Sequence, residues 1–430
     1  MTAGARLAGA GDALAGAAVR AVARWATGGA VAVVEGRPPG TASPAPEVGD
    51  RRRRPDRPEV TVAVHDPAAY RAVLLGGSVG LGRSYAAGWW DCDDLVALLR
   101  LATRALPRPG GRLDALAGVV GRRRSRRRDR HDDPAADRAD VQAHYDLGDD
   151  FFSLFLDPTL TYSCGIFETE AASMEEASIA KLDRICSVLE LGVGDEVLEI
   201  GTGWGSFALH AAGRYGCRVT TTTISDRQFD TARRRVGAAG LDHRVTVLGD
   251  DYRDLVGTYD HVVSIEMIEA VGWRNEERFL RTCADRLRPG GTMALQAIVI
   301  DDRRYERAKH REDLVKALVF PGSSIPSVAS ITAAATRAGL QVVGREHLGP
   351  HYVETLARWR ARFGENRGRI AALGYPPELL RLWDLYLAYC EAGFAEGRID
   401  DVQLVLSKTD QRLVDATAPT VHAADHVHAG

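Results

Sequence analysis

The chain has 430 residues, 45% of them hydrophobic and 26% charged, with a formal net charge of -3; this suits a globular protein of two domains plus connecting segments. No apolar stretch reaches the roughly 18–20 residues that span a bilayer, and the Ala-rich start (Leu7, Leu14, Val19, Val22, Trp25) is broken by Asp12, Arg20 and Arg24, unlike a signal peptide. The scattered cysteines 92, 164, 186, 217, 283 and 390 form no Cys-x-x-Cys and have no histidine at ligand spacing, which argues against a disulfide framework or a zinc site. No metal is expected, and the chain reads as cytoplasmic.

Three stretches differ in character. Residues 1–105 form an Ala/Val/Leu-rich N-terminal unit in which the alternation Val60–Thr61–Val62–Ala63–Val64 predicts a strand. Residues 106–140 mix Pro, Gly and charge with the basic run Arg122 to Arg128, which is linker chemistry; an earlier basic run spans Arg51 to Arg54. From residue 141 to 414, apolar runs alternate with helical periodicity, the pattern of a parallel α/β sheet. Strands are predicted at Glu196–Ile200, Arg218–Thr223, Val245–Leu248, His261–Ile265, Thr292–Ile300, Gln341–Arg345 and Asp401–Ser407. Residues 415–430 read as a disordered tail.

The sharpest local signal is Val197–Leu198–Glu199–Ile200–Gly201–Thr202–Gly203–Trp204–Gly205, a buried strand ending in a glycine turn, followed by the helical run Ser206 to Tyr215. Glycines let the backbone turn sharply and meet a ligand with no Cβ in the way. No Gly-Lys-Ser/Thr follows, so a P-loop is excluded. A dinucleotide site fits less well: the third glycine comes one residue early, and the next strand ends in Thr220–Thr221–Thr222–Thr223–Ile224–Ser225, with hydroxyls where a ribose-binding acid belongs. The acid before the turn, Glu199, is typical of class I methyltransferases. A tight turn without a ligand is the competing reading.

Motifs beyond this loop resemble the cyclopropane-fatty-acyl-phospholipid synthase family and its mycolic-acid-modifying relatives. They are Ser84–Tyr85–Ala86–Ala87–Gly88–Trp89–Trp90–Asp91, His144–Tyr145–Asp146–Leu147–Gly148, Thr161–Tyr162–Ser163–Cys164, Asp251–Tyr252–Arg253–Asp254, Ser264 to Gly272, Phe320–Pro321–Gly322, His351–Tyr352 and Cys390–Glu391–Ala392–Gly393–Phe394. The resemblance implies an α/β fold, a Rossmann-like class I methyltransferase sheet of seven strands under a helical cap (Val353 to Arg398), with a smaller N-terminal domain that engages lipid. The implied reaction carries a methyl group from S-adenosylmethionine to the double bond of an unsaturated phospholipid acyl chain and closes a cyclopropane. If a hydride shift precedes proton loss, the product is instead an exo-methylene chain, the precursor of a methyl branch.

By the same resemblance, Tyr162, Ser163, Glu199, Gly201, Gly203, Thr223, Ile224, Gln228, Asp251 and Tyr252 surround the cofactor. Cys164, Glu269, Tyr352 and the backbone of Ile298 hold a bicarbonate ion that acts as base. One position departs: the family's histidine is Gln296, which hydrogen-bonds an anion but does not titrate near neutrality, and the family's Glu-His pair is Glu269–Ala270. Blander readings stand beside these: Tyr162 as a core aromatic, Gln228 as a solvated helix residue, Glu269 as a surface carboxylate and Cys164 as a small buried hydrophobe.

The expected partners are an unsaturated phospholipid and an anionic membrane surface met through the basic runs, placing the protein peripherally on the inner face of the membrane. No nucleic-acid motif accompanies the arginines. A homodimer is compatible with the family. The rival classes are a methyltransferase for a small polar acceptor and a catalytically silent membrane-binding protein.

Overall fold

The computed structural model describes residues 3–36, 59–105 and 147–408. Both arginine runs, the whole of the predicted linker, His144 to Asp146 and the C-terminal tail lie outside the described residues. The first unit is a three-stranded sheet of order β1 (Val31–Glu35), β2 (Val60–Val64) and β3 (Trp90–Cys92), with helices α1 (Ala3–Ala26), α2 (Ala68–Ala86) and α3 (Leu95–Ala105). β1 and β2 run parallel; β3 is antiparallel to β2. The Ser84 to Asp91 motif turns α2 into β3: Gly88 takes φ 73°, and the Trp90 indole N–H donates to the Ser84 hydroxyl at 3.0 Å. Its role here is the turn itself.

The larger unit is built on a seven-stranded sheet: β4 (Glu196–Ile200), β5 (Arg218–Thr222), β6 (Val245–Leu248), β7 (Tyr259–Ile265), β8 (Leu287–Ile300), β9 (Leu340–His347) and β10 (Ile399–Lys408). The spatial order is β6-β5-β4-β7-β8-β10-β9, parallel except for β10, which is antiparallel to both neighbours. Each predicted strand is present. β8 begins five residues before its prediction because Pro289, Gly290 and Gly291 hide the strand pattern there.

Helices cover both faces, as a parallel sheet requires. The apolar sides of α4 (Met174–Val188) and α5 (Ser206–His210) bury Leu182, Ile185, Phe207 and Ala208 against Val197, Val219 and Val263. On the opposite face, α6 (Glu276–Arg286) and α7 (Val328–Arg337) pack Phe279, Leu280, Ile331 and Ala335 onto Leu198, Val262, Met293 and Leu404. α4 starts cleanly because Ser173 and Glu176 form a reciprocal capping box.

Above the carboxyl ends of the strands sits a helical cap, α8 (Gly349–Glu365) and α9 (Pro377–Ala395), with an aromatic core of Phe151, Phe152, Phe155, Trp359, Phe363 and Trp383. The Phe151 and Trp383 rings meet edge-on at 5.0 Å. The N-terminal unit docks on this cap: Arg381 donates to the Tyr85 and Trp90 carbonyls and to Asp91, and Arg100 and Arg104 clasp Glu396. The strand order reverses at β4, between β5 and β7, and the crevice at such a switch point is where α/β sheets bind ligands.

Candidate active site

The turn after β4 opens the crevice. Gly201, Gly203 and Gly205 take φ of 102°, 52° and 88°, the left-handed region that side chains resist. A Cβ on Gly203 would meet no protein atom within 4 Å, so its face is open to the cavity. Thr202 and Thr221 share a hydrogen bond of 2.7 Å, and Thr221 donates to Glu199 at 2.6 Å, tying the turn to both strands. Glu199 is 2% exposed, and burial pushes its carboxyl up to about 8.

One pocket gathers Tyr162, Ser163, Glu199, Gly201, Gly203, Thr223, Ile224, Gln228, Asp251 and Tyr252 on its walls. Gln228 is buried rather than solvated, and its Oε1 accepts from Thr223 at 2.8 Å. Ser225 caps the helix that carries it (Asp226–Ala238). Burial works to raise the Asp251 carboxyl, but hydrogen bonds and charge from Arg253 outweigh it and hold the group below its ordinary value. Tyr252 sets its ring edge-on to Phe279 at 5.4 Å. Tyr162 joins this pocket to the aromatic cap: its ring lies 5.1 Å from Trp359 and 5.2 Å from Phe152, and its hydroxyl is 3.1 Å from that of Tyr386.

The deeper wall is formed where β7 ends. Glu266 follows Ile265 with φ 49°, a left-handed conformation costing a non-glycine residue about 1–3 kcal/mol. Its backbone N–H bonds the Gln296 carbonyl at 2.9 Å, and the residue lines the same pocket. There the carboxylate collects three donors. Oε1 accepts from the Cys164 backbone N–H and the Gln296 amide, both at 2.8 Å, and Oε2 accepts from the Tyr352 hydroxyl at 2.6 Å. Burial raises the Glu266 carboxyl, against the opposing pull of these donors. Tyr352 is itself stacked on Phe394 at 4.4 Å, which fixes its ring.

The five expected base-site residues therefore divide. Cys164, Gln296 and Tyr352 converge on Glu266, a residue the sequence reading did not single out. Cys164 contributes its backbone; burial pushes its thiol well up, and the sulfur faces the Gly165 carbonyl at 3.3 Å. Ile298 instead donates its N–H to Glu269 at 2.5 Å. The other Glu269 oxygen is buried with no hydrogen-bond partner, and burial, then the charge of Glu266, pushes this carboxyl up to about 8. Gln296 also donates to Asp401 at 2.8 Å and accepts from Gln403 at 3.0 Å, so its amide is locked on both sides.

A parallel sheet with a glycine turn at its switch point, a buried acid at the end of the first strand and an antiparallel β10 define the class: a class I S-adenosylmethionine-dependent methyltransferase. Residues 132–404 match the mycolic acid cyclopropane synthetase family, and the chain belongs to that family, whose members transfer methyl or methylene groups to lipid acyl chains. It is 39% identical over 353 residues to the tuberculostearic acid methyltransferase UfaA1 of Mycobacterium tuberculosis, covering 80% of this chain and 82% of that one. Identity to the cyclopropane-fatty-acyl-phospholipid synthase of Escherichia coli is 34% over 370 residues, covering 81% and 87%. Among solved structures, the cyclopropane synthase MmaA2 from Mycobacterium tuberculosis is 31% identical with a TM-score of 0.60, covering 63% of this chain and 98% of its own. The mycolic acid cyclopropane synthase CmaA1 complexed with SAH and CTAB is 32% identical at the same TM-score and coverage. Among the described residues, no helix is long and apolar enough to cross a membrane.

Proposed function

We propose that the protein methylates the double bond of an unsaturated phospholipid acyl chain and that Glu266 is the base that removes a proton from the added methyl carbon. The observation that carries this reading is a carboxylate on the wall of the cofactor pocket, oriented by three donors from three separate elements. The bound cofactor supplies an electrophilic sulfonium methyl. The open face of Gly203 and the ring of polar groups from Ser163 to Asp251 fit such a cofactor.

An alkene is a weak nucleophile, and its methylation leaves a carbocation on the chain. The site must hold the double bond in line with the methyl group, exclude water and tolerate positive charge. Tyr162, with Trp359 and Phe152 behind it, offers aromatic faces for that charge. Glu266 then accepts the proton, aided by a pKa that burial has raised toward that of a useful base.

The family resemblance implies a bicarbonate ion for this step, and the residues present do not suit one. Three of the groups expected to hold it already donate to Glu266, and the fourth donates to Glu269. A further anion here would add to the buried carboxyls of Glu266, Glu269 and Asp401, whose charge Lys181 already offsets in part. In this reading Glu266 takes that ion's place.

The product we favour is the exo-methylene chain, precursor of a mid-chain methyl branch, over the cyclopropane that the family resemblance suggests first. Both lose a proton from the same methyl carbon and differ in timing. A base whose two oxygens are committed to donors is slowed, which gives a hydride shift time to move the charge to the more substituted carbon. The higher identity to a tuberculostearic acid methyltransferase supports the same order. We place the lipid at an anionic membrane surface, met through the two arginine runs.

The test is mass spectrometry of lipids from a heterologous host expressing the chain. Monounsaturated phospholipid chains should gain the mass of one CH₂, and NMR should show the =CH₂ protons of a mid-chain exo-methylene. Cyclopropane protons would overturn the product assignment; unchanged lipids would overturn the function.

A further inference from the structure

A buried lysine on the pocket wall offsets the charge of Glu266 yet donates to no carboxylate among the described residues. The basic side chains on the pocket wall are Arg253, which is committed to Asp251, and Lys181. Lys181 projects from α4 and is 1% exposed. Its ammonium donates to the Ser163 hydroxyl at 2.8 Å, its only hydrogen-bond partner among the described residues. An ammonium has three donors, so two remain.

Burying an ammonium with donors unused is costly unless a ligand completes the set. Glu266 offsets its charge but takes no hydrogen bond from it, accepting instead from Cys164, Gln296 and Tyr352. The same pocket wall carries the buried carboxyl of Glu199. A cavity with a buried ammonium and a buried carboxyl beside a glycine turn complements a zwitterion, and an α-amino acid is the zwitterion at one end of S-adenosylmethionine.

We propose that Lys181 binds the α-carboxylate of the cofactor's amino-acid end, held in place by Ser163. The inference rests on the cofactor assignment. It makes Lys181 a binding residue that distinguishes cofactor forms with an amino-acid tail from those without one.

Calorimetry on the purified full chain tests this with two probes, S-adenosylhomocysteine, which has the carboxylate, and methylthioadenosine, which lacks the whole tail. A hydrogen bond between charged groups is lost in Lys181→Met, so its affinity for S-adenosylhomocysteine should fall by about tenfold or more while that for methylthioadenosine holds. Lys181→Gln, which keeps reach and polarity without charge, should show the same split. Wild-type protein should bind the carboxamide of S-adenosylhomocysteine about as weakly as Lys181→Met binds the parent compound, a comparison that needs no variant of doubtful folding. Equal losses for both probes, or a wild type indifferent to the carboxamide, would overturn the proposal. If the wild type binds neither probe, the cofactor assignment itself fails.

Discussion

Glu266→Gln separates base chemistry from architecture. The amide is nearly isosteric with the carboxylate, and the contacts allow it to sit without a clash. Its oxygen at the Oε1 position keeps the Cys164 and Gln296 donors, and its NH₂ at the Oε2 position meets Tyr352, whose hydroxyl can turn from donor to acceptor. Thermal stability and cofactor affinity should therefore stay near wild type. Turnover should fall by about 10²–10⁴-fold, the usual contribution of a general base, or about 3–5 kcal/mol on the barrier. The assay is methyl transfer to monounsaturated phospholipid vesicles, followed by lipid mass spectrometry, with calorimetry for the cofactor. Glu266→Ala adds a positive control: it frees three converging donors, so added bicarbonate or formate should restore part of its activity while leaving wild type unchanged. Turnover within about threefold of wild type in Glu266→Gln, or a wild type that slows when dissolved CO₂ is stripped away, would refute the assignment of the base.

Gly203→Val forces a β-branched residue to φ 52°, so binding of S-adenosylhomocysteine should drop below detection while circular dichroism still shows a folded chain. Glu269 gives a pH-dependent stability. Its carboxyl titrates at about 8 when folded against 4.5 as the ordinary value, so its contribution is complete below pH 4.5 and is lost as pH rises through 8. Glu269→Gln should remove that slope, gaining on wild type in denaturant melts by an amount of order 3–5 kcal/mol between those limits; parallel pH profiles would contradict it. Replacing Arg122–Arg124 and Arg126–Arg128 with Ser should weaken binding to anionic vesicles and flatten its salt dependence, read by co-sedimentation, with little change on detergent-dispersed lipid.

The strands of the large sheet were legible because each is an apolar run set off by helical periodicity. β1 and β3 were not: Val31–Glu35 follows a long Ala-rich stretch whose helical character dominates, and Trp90–Cys92 is three residues long, too short for alternation to register. The lining of the pocket was readable for a related reason, since glycines and hydroxyls at strand ends mark backbone that can approach a ligand. The base was not. Glu266 and Glu269 lie three apart in one motif, and the choice between them depends on the left-handed turn at Glu266, which points its carboxylate at Cys164 and Tyr352. The same limit applies to Cys164, whose thiol suggests chemistry but whose backbone N–H makes the contact. Lys181 resembled any lysine on an amphipathic helix; its burial beneath Ser163 follows from tertiary packing.

The most direct measurement uses purified protein, monounsaturated phospholipid vesicles and S-adenosylmethionine carrying a trideuterated methyl group, in buffer freed of CO₂. Removal of a proton from the added methyl by Glu266 predicts lipid chains heavier by one carbon with two of the three deuteriums retained, formed at the same rate with or without bicarbonate. Chains that retain all three deuteriums would show that the proton leaves from elsewhere, and lipid of unchanged mass would contradict the account as a whole.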